Sequence, residues 1–483
     1  MLAAVAVLVV LVAALIAYSR NDKDRMPGPR GLPLVGQTFS MDFIRKEETF
    51  MKWRKQYGPI YRCSMLGQTA VVLSDPDLIR EAFSRPDTAN RVMFDVLKIF
   101  YCDKGIIFSN GEVWKQTRRF TLFHLRNFGM GRTQLEGLIQ DQVSAFVDEL
   151  VAPRVGEAIS IDHGLRISVA NIIWGMVSSE RFTIHDTRVL EVMQSFDEVG
   201  KSTMVFIMLF LFPVLMRFPA RLTGLDKVNR LFNIQMDKLF QPAIDEHART
   251  VDLDGEPRDY IDCLLQEQHR SPDLFTNGHM LRSILDLFVA GYDSTSTTLR
   301  WAFCFLCSYP EVQRRLQTEV RAVAGEDRPP RLADRPRMPY TDAFLMETQR
   351  VASLAPCGIE HVAAEEFQLG GFTIPRGAQI VALQQAVHED EALFPEPGRF
   401  RPERFLDAAG KLKPSRALMP FSVGKRSCVG EAMARAELFL FVTAVVQRYT
   451  LRFPDGFRHD FGVTRSKPLL REPTPFLLVA EKE

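Results

Sequence analysis

Pro420-Phe421-Ser422-Val423-Gly424-Lys425-Arg426-Ser427-Cys428-Val429-Gly430-Glu431 decides how this chain is read. It is a loop that ends at the start of a helix, with one cysteine at the junction. The helix is the apolar run from about Gly430 to Val446. A sulfur at a helix N-terminus faces unpaired backbone N–H groups and the positive end of the helix dipole, and both favour the thiolate, the metal-binding form. Gly424 and Gly430 withdraw side chains on either side, so a flat, bulky group could approach. Arg426 sets a fixed positive charge two residues from the sulfur, suited to a carboxylate on such a group, and Phe421 offers an apolar shield.

Working outward, the 483 residues suffice for a large core, and the formal net charge of +1 argues against a nucleic-acid binder. Seven scattered cysteines are an odd number and suggest reduced thiols, not a disulfide framework. Cys304 and Cys307 form a C-x-x-C inside an apolar helical pattern, which reads as two small core residues. Residues 2–18 are almost purely apolar, and Arg20, Lys23, Arg25 and Arg30 follow them. This predicts an uncleaved membrane anchor with the rest of the chain on the cytosolic side. Met26-Pro27-Gly28-Pro29-Arg30-Gly31-Leu32-Pro33 is then a semi-rigid spacer.

Further along, Pro59–Ser74 reads as a hairpin turning at Leu66-Gly67-Gln68, and Asp75-Pro76-Asp77 opens a helix. Gly111-Glu112-Val113-Trp114 starts another helix, on which Trp114 and Arg118 share a face. Met204–Met216 is the most hydrophobic internal stretch, but Pro213 breaks it and it is too short to span a bilayer. It is either a buried helix or a lid that dips into a membrane, one face for each. Thr276–Tyr309 predicts one helix roughly 50 Å long. Within it, Gly291 and the hydroxyls of Ser294, Thr295 and Ser296 could loosen the backbone ladder and admit water. Gly370-Gly371 marks a second hairpin.

The opening stretch resembles the haem-binding signature of the cytochrome P450 family at every fixed position: Phe421, Gly424, Arg426, Cys428 and Gly430. The resemblance extends from the anchor to the C-terminus and is strongest to the microsomal animal branch. It implies a mainly helical fold with small β-sheets, in which haem lies between a long central helix and the cysteine loop. One N-terminal transmembrane helix would precede it: residues 1–19 as anchor, 20–36 as charged and proline-rich hinge, and 37–483 as catalytic domain. Cys428 would then be the axial ligand of haem b (iron protoporphyrin IX), whose thiolate pushes electron density to favour O–O cleavage.

By the same resemblance, Arg426, Trp114, Arg118 and His361 would contact the propionates. Asp293 with Ser294 or Thr295 would be the acid–alcohol pair that delivers protons, Ser294 standing where the family usually has Thr. Glu347, Arg350 and Arg404 would form a buried ion cluster that holds the cysteine loop. Ile106, Ile107, Phe108, Ala290, Gly291, Ala355 and Ile359 would line the substrate pocket, and Glu472-Pro473-Thr474-Pro475 would carry a last loop back towards it.

The implied reaction is monooxygenation of a small hydrophobic molecule (steroid, fatty acid, terpenoid or xenobiotic): substrate, dioxygen, two electrons and two protons give an alcohol and water. No G-x-G-x-x-G follows a strand. Electrons would therefore come from a partner, which the resemblance makes an NADPH-dependent flavoprotein reductase, with a b-type cytochrome as a second donor, at the endoplasmic reticulum membrane. Lys115, Arg119, Arg126, Lys425 and Arg435 are the candidate docking cations. A same-fold isomerase or dehydratase needing no reductase, and a non-catalytic haem carrier or gas sensor, are the alternatives.

Overall fold

The computed structural model describes residues 26–482, apart from 33–34, 66, 130–132, 184–185 and 465–468. The expected anchor, the first part of the hinge (20–25) and Leu66 lie outside these residues. Among the described residues, no helix is long and apolar enough to cross a membrane. The chain is mainly helical with small sheets. Its strands are β1 (Ile60–Met65), β2 (Gln68–Leu73), β3 (Asn90–Arg91), β4 (Ala158–Ile159), β5 (His361–Val362), β6 (Phe367–Leu369), β7 (Phe372–Ile374), β8 (Gln379–Ala382), β9 (Tyr449–Arg452) and β10 (Leu478–Lys482). Two compact units form from interleaved pieces of sequence.

The first unit takes Met1–Val92, Ala355–Val387 and Ser422–Ser427. Its five-stranded sheet has the order β1-β2-β8-β5-β3. β1 and β2 pair antiparallel from Ile60↔Leu73 to Met65↔Gln68, the hairpin expected at Pro59–Ser74, with Gly67 at φ +79° in its turn. β6 and β7 form the second expected hairpin, and Gly370 and Gly371 both take positive φ. Helix α1 (Lys46–Tyr57) buries Phe50 and Trp53 in a small core with Tyr61, Val72 and Val381. Helix α2 (Pro76–Ser84) begins where Asp75 predicts. The Asp75 carboxylate accepts from the backbone N–H of Asp77 and of Leu78, both at 2.9 Å, and satisfies two donors the first turn leaves open.

The second unit takes Met93–Leu354, His388–Phe421 and Cys428–Glu483. Its functional helices are α3 (Gly111–Asn127), α4 (Asp162–Ser178), α5 (Thr187–Lys201), α6 (Asn277–Ser308), α7 (Pro339–Ala352) and α8 (Glu431–Arg448). α6 is the predicted long helix. It packs along α4 and against α7 and α8, and α4, α6 and α8 share one large apolar core that includes Trp174, Phe288, Trp301 and Phe439. β4, β10 and β9 form a three-stranded sheet. Thr203–Leu211 is a separate short helix that stops before Pro213, as a ring without an N–H requires. It buries Leu209 beside Val96, Phe100 and Val228, while Met204, Met208 and Phe212 on its other side are exposed.

The helical ladder of α6 is unbroken at Gly291, contrary to the loosening expected there. A Cβ at 291 would come 3.2–3.3 Å from the Ile173 side chain of α4, so this glycine lets two helices approach closely. The hydroxyls bond to the helix's own carbonyls without opening it: Ser294 Oγ donates to Ala290 O at 2.7 Å and Thr298 Oγ1 to Ser294 O at 2.8 Å. Cys304 and Cys307 are buried helix residues, and burial pushes the Cys304 thiol up to about 12. That is the inert pair the apolar surroundings suggested.

Candidate active site

Six of the seven cysteines are buried; Cys428 alone is exposed. It stands three residues before α8, with its backbone N–H donating to Phe421 O at 2.9 Å. The main chain of Phe421 thereby ties off the loop, and its ring lies under the Arg435 guanidinium at 4.8 Å. Gly424 and Gly430 turn out to serve different purposes. Gly424 sits at φ +78° against α2, where any Cβ would collide with the carbonyl oxygen of Phe83. At Gly430 a Cβ would meet nothing within 4 Å.

Cys428 is open to solvent on one side, yet the protein packed round its sulfur desolvates it and raises the thiol above its ordinary pKa; the Gly430 N–H and Arg118 act the other way. Arg118 is half-buried on α3, one turn from the buried Trp114. Burial lowers its pKa and the Cys428 charge opposes that change, which puts the guanidinium within electrostatic reach of the sulfur.

In the first unit, three cationic or basic side chains converge. His361 on β5 is 1% exposed and stacks on Phe83 with ring centroids 3.7 Å apart. Its Nδ1 lies 2.8 Å from Thr88 O, and a carbonyl only accepts, so Nδ1 carries the proton. Nε2 has no partner among the described residues. Burial, with Arg91 and then Arg426 as charged neighbours, pushes the imidazole down to about 2. Arg426 is buried and its Nε donates to Ala89 O at 2.7 Å, while Arg91 Nη1 donates to Ile359 O at 2.5 Å. The sequence pattern missed Arg91: one arginine after a turn carries no signal until β3 pairs with β5 at Arg91↔His361.

On α6, Ala290 is exposed and Val289, Asp293 and Ser294 are partly so, although the helix is buried before and after them. One open face thus passes Ala290 and Ser294, a turn apart. Thr295 is buried and points elsewhere. Tyr292 packs against Phe196 and Phe288, with the Arg166 guanidinium 5.5 Å above its ring. Arg166 pairs with Asp197 at 2.8 and 2.9 Å and lies within electrostatic reach of Asp293.

Ile106 is buried, while Ile107 and Phe108 are half-buried. A buried carboxylate that the sequence reading did not select fixes their loop. Asp286 on α6 accepts from the backbone N–H of Ile106 at 2.7 Å and of Ile107 at 3.0 Å, and pairs with Arg282 at 2.7 Å. An Asp four residues after an Arg inside the run Ser283-Ile284-Leu285-Asp286-Leu287-Phe288 was the available signal. Ala355 and Ile359 are half-buried in the first unit. Glu472-Pro473 is not the expected turn: Pro473 bridges Val463 antiparallel and Glu472 O accepts from the Thr464 N–H at 2.9 Å, while Trp301 Nε1 of α6 donates to Arg471 O at 2.8 Å.

Glu347, Arg350 and Arg404 come together. Glu347 is fully buried; Arg350 Nε and Nη2 reach its two oxygens at 2.8 Å each, and Arg404 Nε donates at 3.0 Å. Arg350 also donates to the carbonyls of His388 and Pro397 at 2.8 Å. The cluster therefore anchors the segment that runs towards the cysteine loop.

These residues fit a haem. In the second unit a solvent-accessible sulfur at a helix start lies within electrostatic reach of Arg118; in the first unit a buried imidazole nitrogen with no hydrogen-bond partner among the described residues sits with two guanidinium groups, a donor set suited to carboxylates. Comparison with known proteins agrees. The family model described as Cytochrome P450 matches residues 26–479. Cytochrome P450 2J3 of Rattus norvegicus is 37% identical over 445 residues, covering 90% of this chain and 87% of the relative. Cytochrome P450 2B2 of Rattus norvegicus is 35% identical over 434 residues (88% and 87%), and Cytochrome P450 2C2 of Oryctolagus cuniculus is 35% identical over 462 (92% and 93%).

Proposed function

Because the chain belongs to the cytochrome P450 family and is a haem-dependent monooxygenase, we propose that Cys428 is its iron ligand and that it oxygenates a small hydrophobic substrate with electrons from an NADPH-dependent flavoprotein reductase. The exposed Cys428 sulfur, unlike six buried thiols, is the observation that carries this reading. Haem supplies the activation of dioxygen when bound. The chain's own residues do the rest. Arg118, Trp114, Arg91, Arg426 and His361 orient the group by its carboxylates. The Nδ1–H bond of His361 to Thr88 leaves Nε2 as the atom that faces that ligand.

Asp293 and Ser294 are the proposed proton route. Ser294 lies on the open face of α6, whereas Thr295 does not, which favours Ser294 as the alcohol. Its hydroxyl already donates to Ala290 O, so it has an oxygen lone pair free to accept a proton from the Asp293 side. Ala290, Gly291, Ile106, Ile107, Phe108, Ala355 and Ile359 are proposed to shape the substrate pocket, with Asp286 setting the loop Ile106–Phe108.

Lys115, Arg119 and Arg126 are exposed and fall on one face of α3, which supports them as the reductase-docking cations together with the exposed Lys425. Arg435 is already engaged by Glu431 at 2.9 Å and by the Phe421 ring, so it contributes less. The exposed Met204, Met208, Phe212, Val214 and Phe218 support a lid that dips into the endoplasmic reticulum bilayer.

The test is the reduced, carbon monoxide-bound spectrum of wild type and Cys428→Ser, followed by product formation with reductase and NADPH on steroids, fatty acids, terpenoid esters and xenobiotics that shift the haem spin state. Wild type gives the thiolate-type Soret band and the variant does not. A thiolate-type band in the variant, or full product formation without NADPH, overturns the reading.

A further inference from the structure

The chain turns at Ala355 before it enters β5. The Gly358 N–H donates to Ala355 O at 3.1 Å, and Gly358 takes φ +56°, where a glycine is held by little of its own. Three residues on, His361 is fixed by its pairing with Ile380 of β8 and by Thr88 O. Ile359 and Glu360 lie between these points, both half-buried. Arg91 holds their carbonyls: its Nη1 donates to Ile359 O at 2.5 Å and to Glu360 O at 3.3 Å. The Glu360 carboxylate takes a separate partner, Lys46 Nζ, 314 positions earlier in the chain.

Lys46 is the first residue of α1. A helix start favours acids, such as Glu47 and Glu48 beside it, and disfavours a cation. Local helix chemistry therefore does not account for a lysine there, whereas its ion pair does. The pair is also more enclosed than a surface bridge, with the two side chains only 21% and 23% exposed. Burial disfavours both charges, yet the partners override it: the Lys46 ammonium is held above its ordinary range and the Glu360 carboxyl below.

We propose that Lys46 is a positioning residue for substrate selection: through Glu360 it fixes the backbone of residues 358–360 and so sets where Ile359 stands in the pocket. This rests on the reading of Ala355 and Ile359 as pocket residues. Arg91 by itself does not fix that backbone. Its bonds to two successive carbonyls act as one point of attachment, about which a chain joined through Gly358 still turns. The ion pair at the Glu360 side chain supplies the second point.

The experiment uses the full-chain holoenzyme and two nitrogenous iron ligands, imidazole and phenylimidazole, titrated by the shift in haem absorbance. Imidazole reports the iron itself, and the ratio of the two dissociation constants reports the space beside it. The variants are Lys46→Arg, Glu360→Leu, the double variant Lys46→Met, Glu360→Leu, and Ile359→Ala. In Glu360→Leu the Lys46 stem can extend to water, and the double variant strands no charge, so the fold survives in both. A pocket misfit of about one methylene is worth roughly 10-fold in discrimination, so the ratio should move by about that factor in Glu360→Leu and in the double variant, with imidazole affinity unchanged. Lys46→Arg, which keeps the pair, should match wild type.

A wild-type ratio in the double variant overturns the proposal, and so does a Lys46→Arg ratio as far from wild type as that of the double variant. Should Glu360→Leu yield no holoenzyme, the double variant decides. Ile359→Ala separates the two readings. A shifted ratio there beside a wild-type ratio in the double variant removes the role of Lys46 and leaves the pocket reading standing. An unshifted ratio in Ile359→Ala sinks the pocket reading, and the proposal with it.

Discussion

Removing the Asp286 carboxylate should loosen the Ile106–Phe108 loop and destabilise the second unit at the same time. Asp286 and Arg282 are 1% and 9% exposed, so Asp286→Ala leaves a buried guanidinium without its 2.7 Å partner. Breaking a buried pair from one side costs about 3–5 kcal/mol. The amides of Ile106 and Ile107 also lose their acceptor, at about 1–3 kcal/mol each wherever they stay buried. The loop can swing to water and recover the amides' share, so the pair sets the expected size. Unfolding entropy near 2.1 cal/mol/K per residue makes 3–5 kcal/mol worth roughly 3–5 °C in the Tm of a chain of 483 residues.

The assay is thermal unfolding followed by far-UV signal and haem absorbance, for Asp286→Ala and for the double variant Arg282→Met, Asp286→Leu. The double variant removes both charges and fills their volume, so it should recover most of the Tm. It cannot recover the two amide bonds, so spin-shift affinity for apolar compounds should stay altered in both variants. A Tm for Asp286→Ala within 1 °C of wild type, or a double variant no more stable than the single, would refute the reasoning.

Other expectations follow from the same geometry. Arg350→Lys should fail to replace Arg350, because an ammonium cannot reach both Glu347 oxygens and two carbonyls at once; holoenzyme yield should fall as for Arg350→Ala. Gly424→Ala should cost stability and haem content, since its Cβ would strike Phe83 O; unchanged haem absorbance per mole of protein would refute this. His247, 2.9 Å from Asp259, gives a pH signature. Burial disfavours its charged form, but Asp259 overrides this and raises the folded pKa above the ordinary 6.5. Its stabilising contribution is complete below the unfolded value and disappears as pH rises through the raised folded value. Tm measured from pH 5.5 upward should therefore fall less steeply across that window in His247→Gln than in wild type.

The sequence by itself determined the local chemistry. Twelve consecutive residues placed a cysteine at a helix start with Gly and Arg at fixed offsets, and the Asp75 cap, the Gly370-Gly371 turn and the long apolar run of α6 could be read because each signal lies within one helical turn or one hairpin. Tertiary structure decided everything that depends on residues far apart in sequence. Asp286 meets Ile106 across 180 positions, and Arg91 becomes significant only beside His361. The same holds for sign. Local rules made Cys428 a thiolate and Gly291 a breach in its helix, but desolvation raises the thiol, and the approach of Ile173 explains the glycine. Desolvation and close packing depend on neighbours that sequence proximity does not specify, and here they outweigh the dipole and propensity effects that it does.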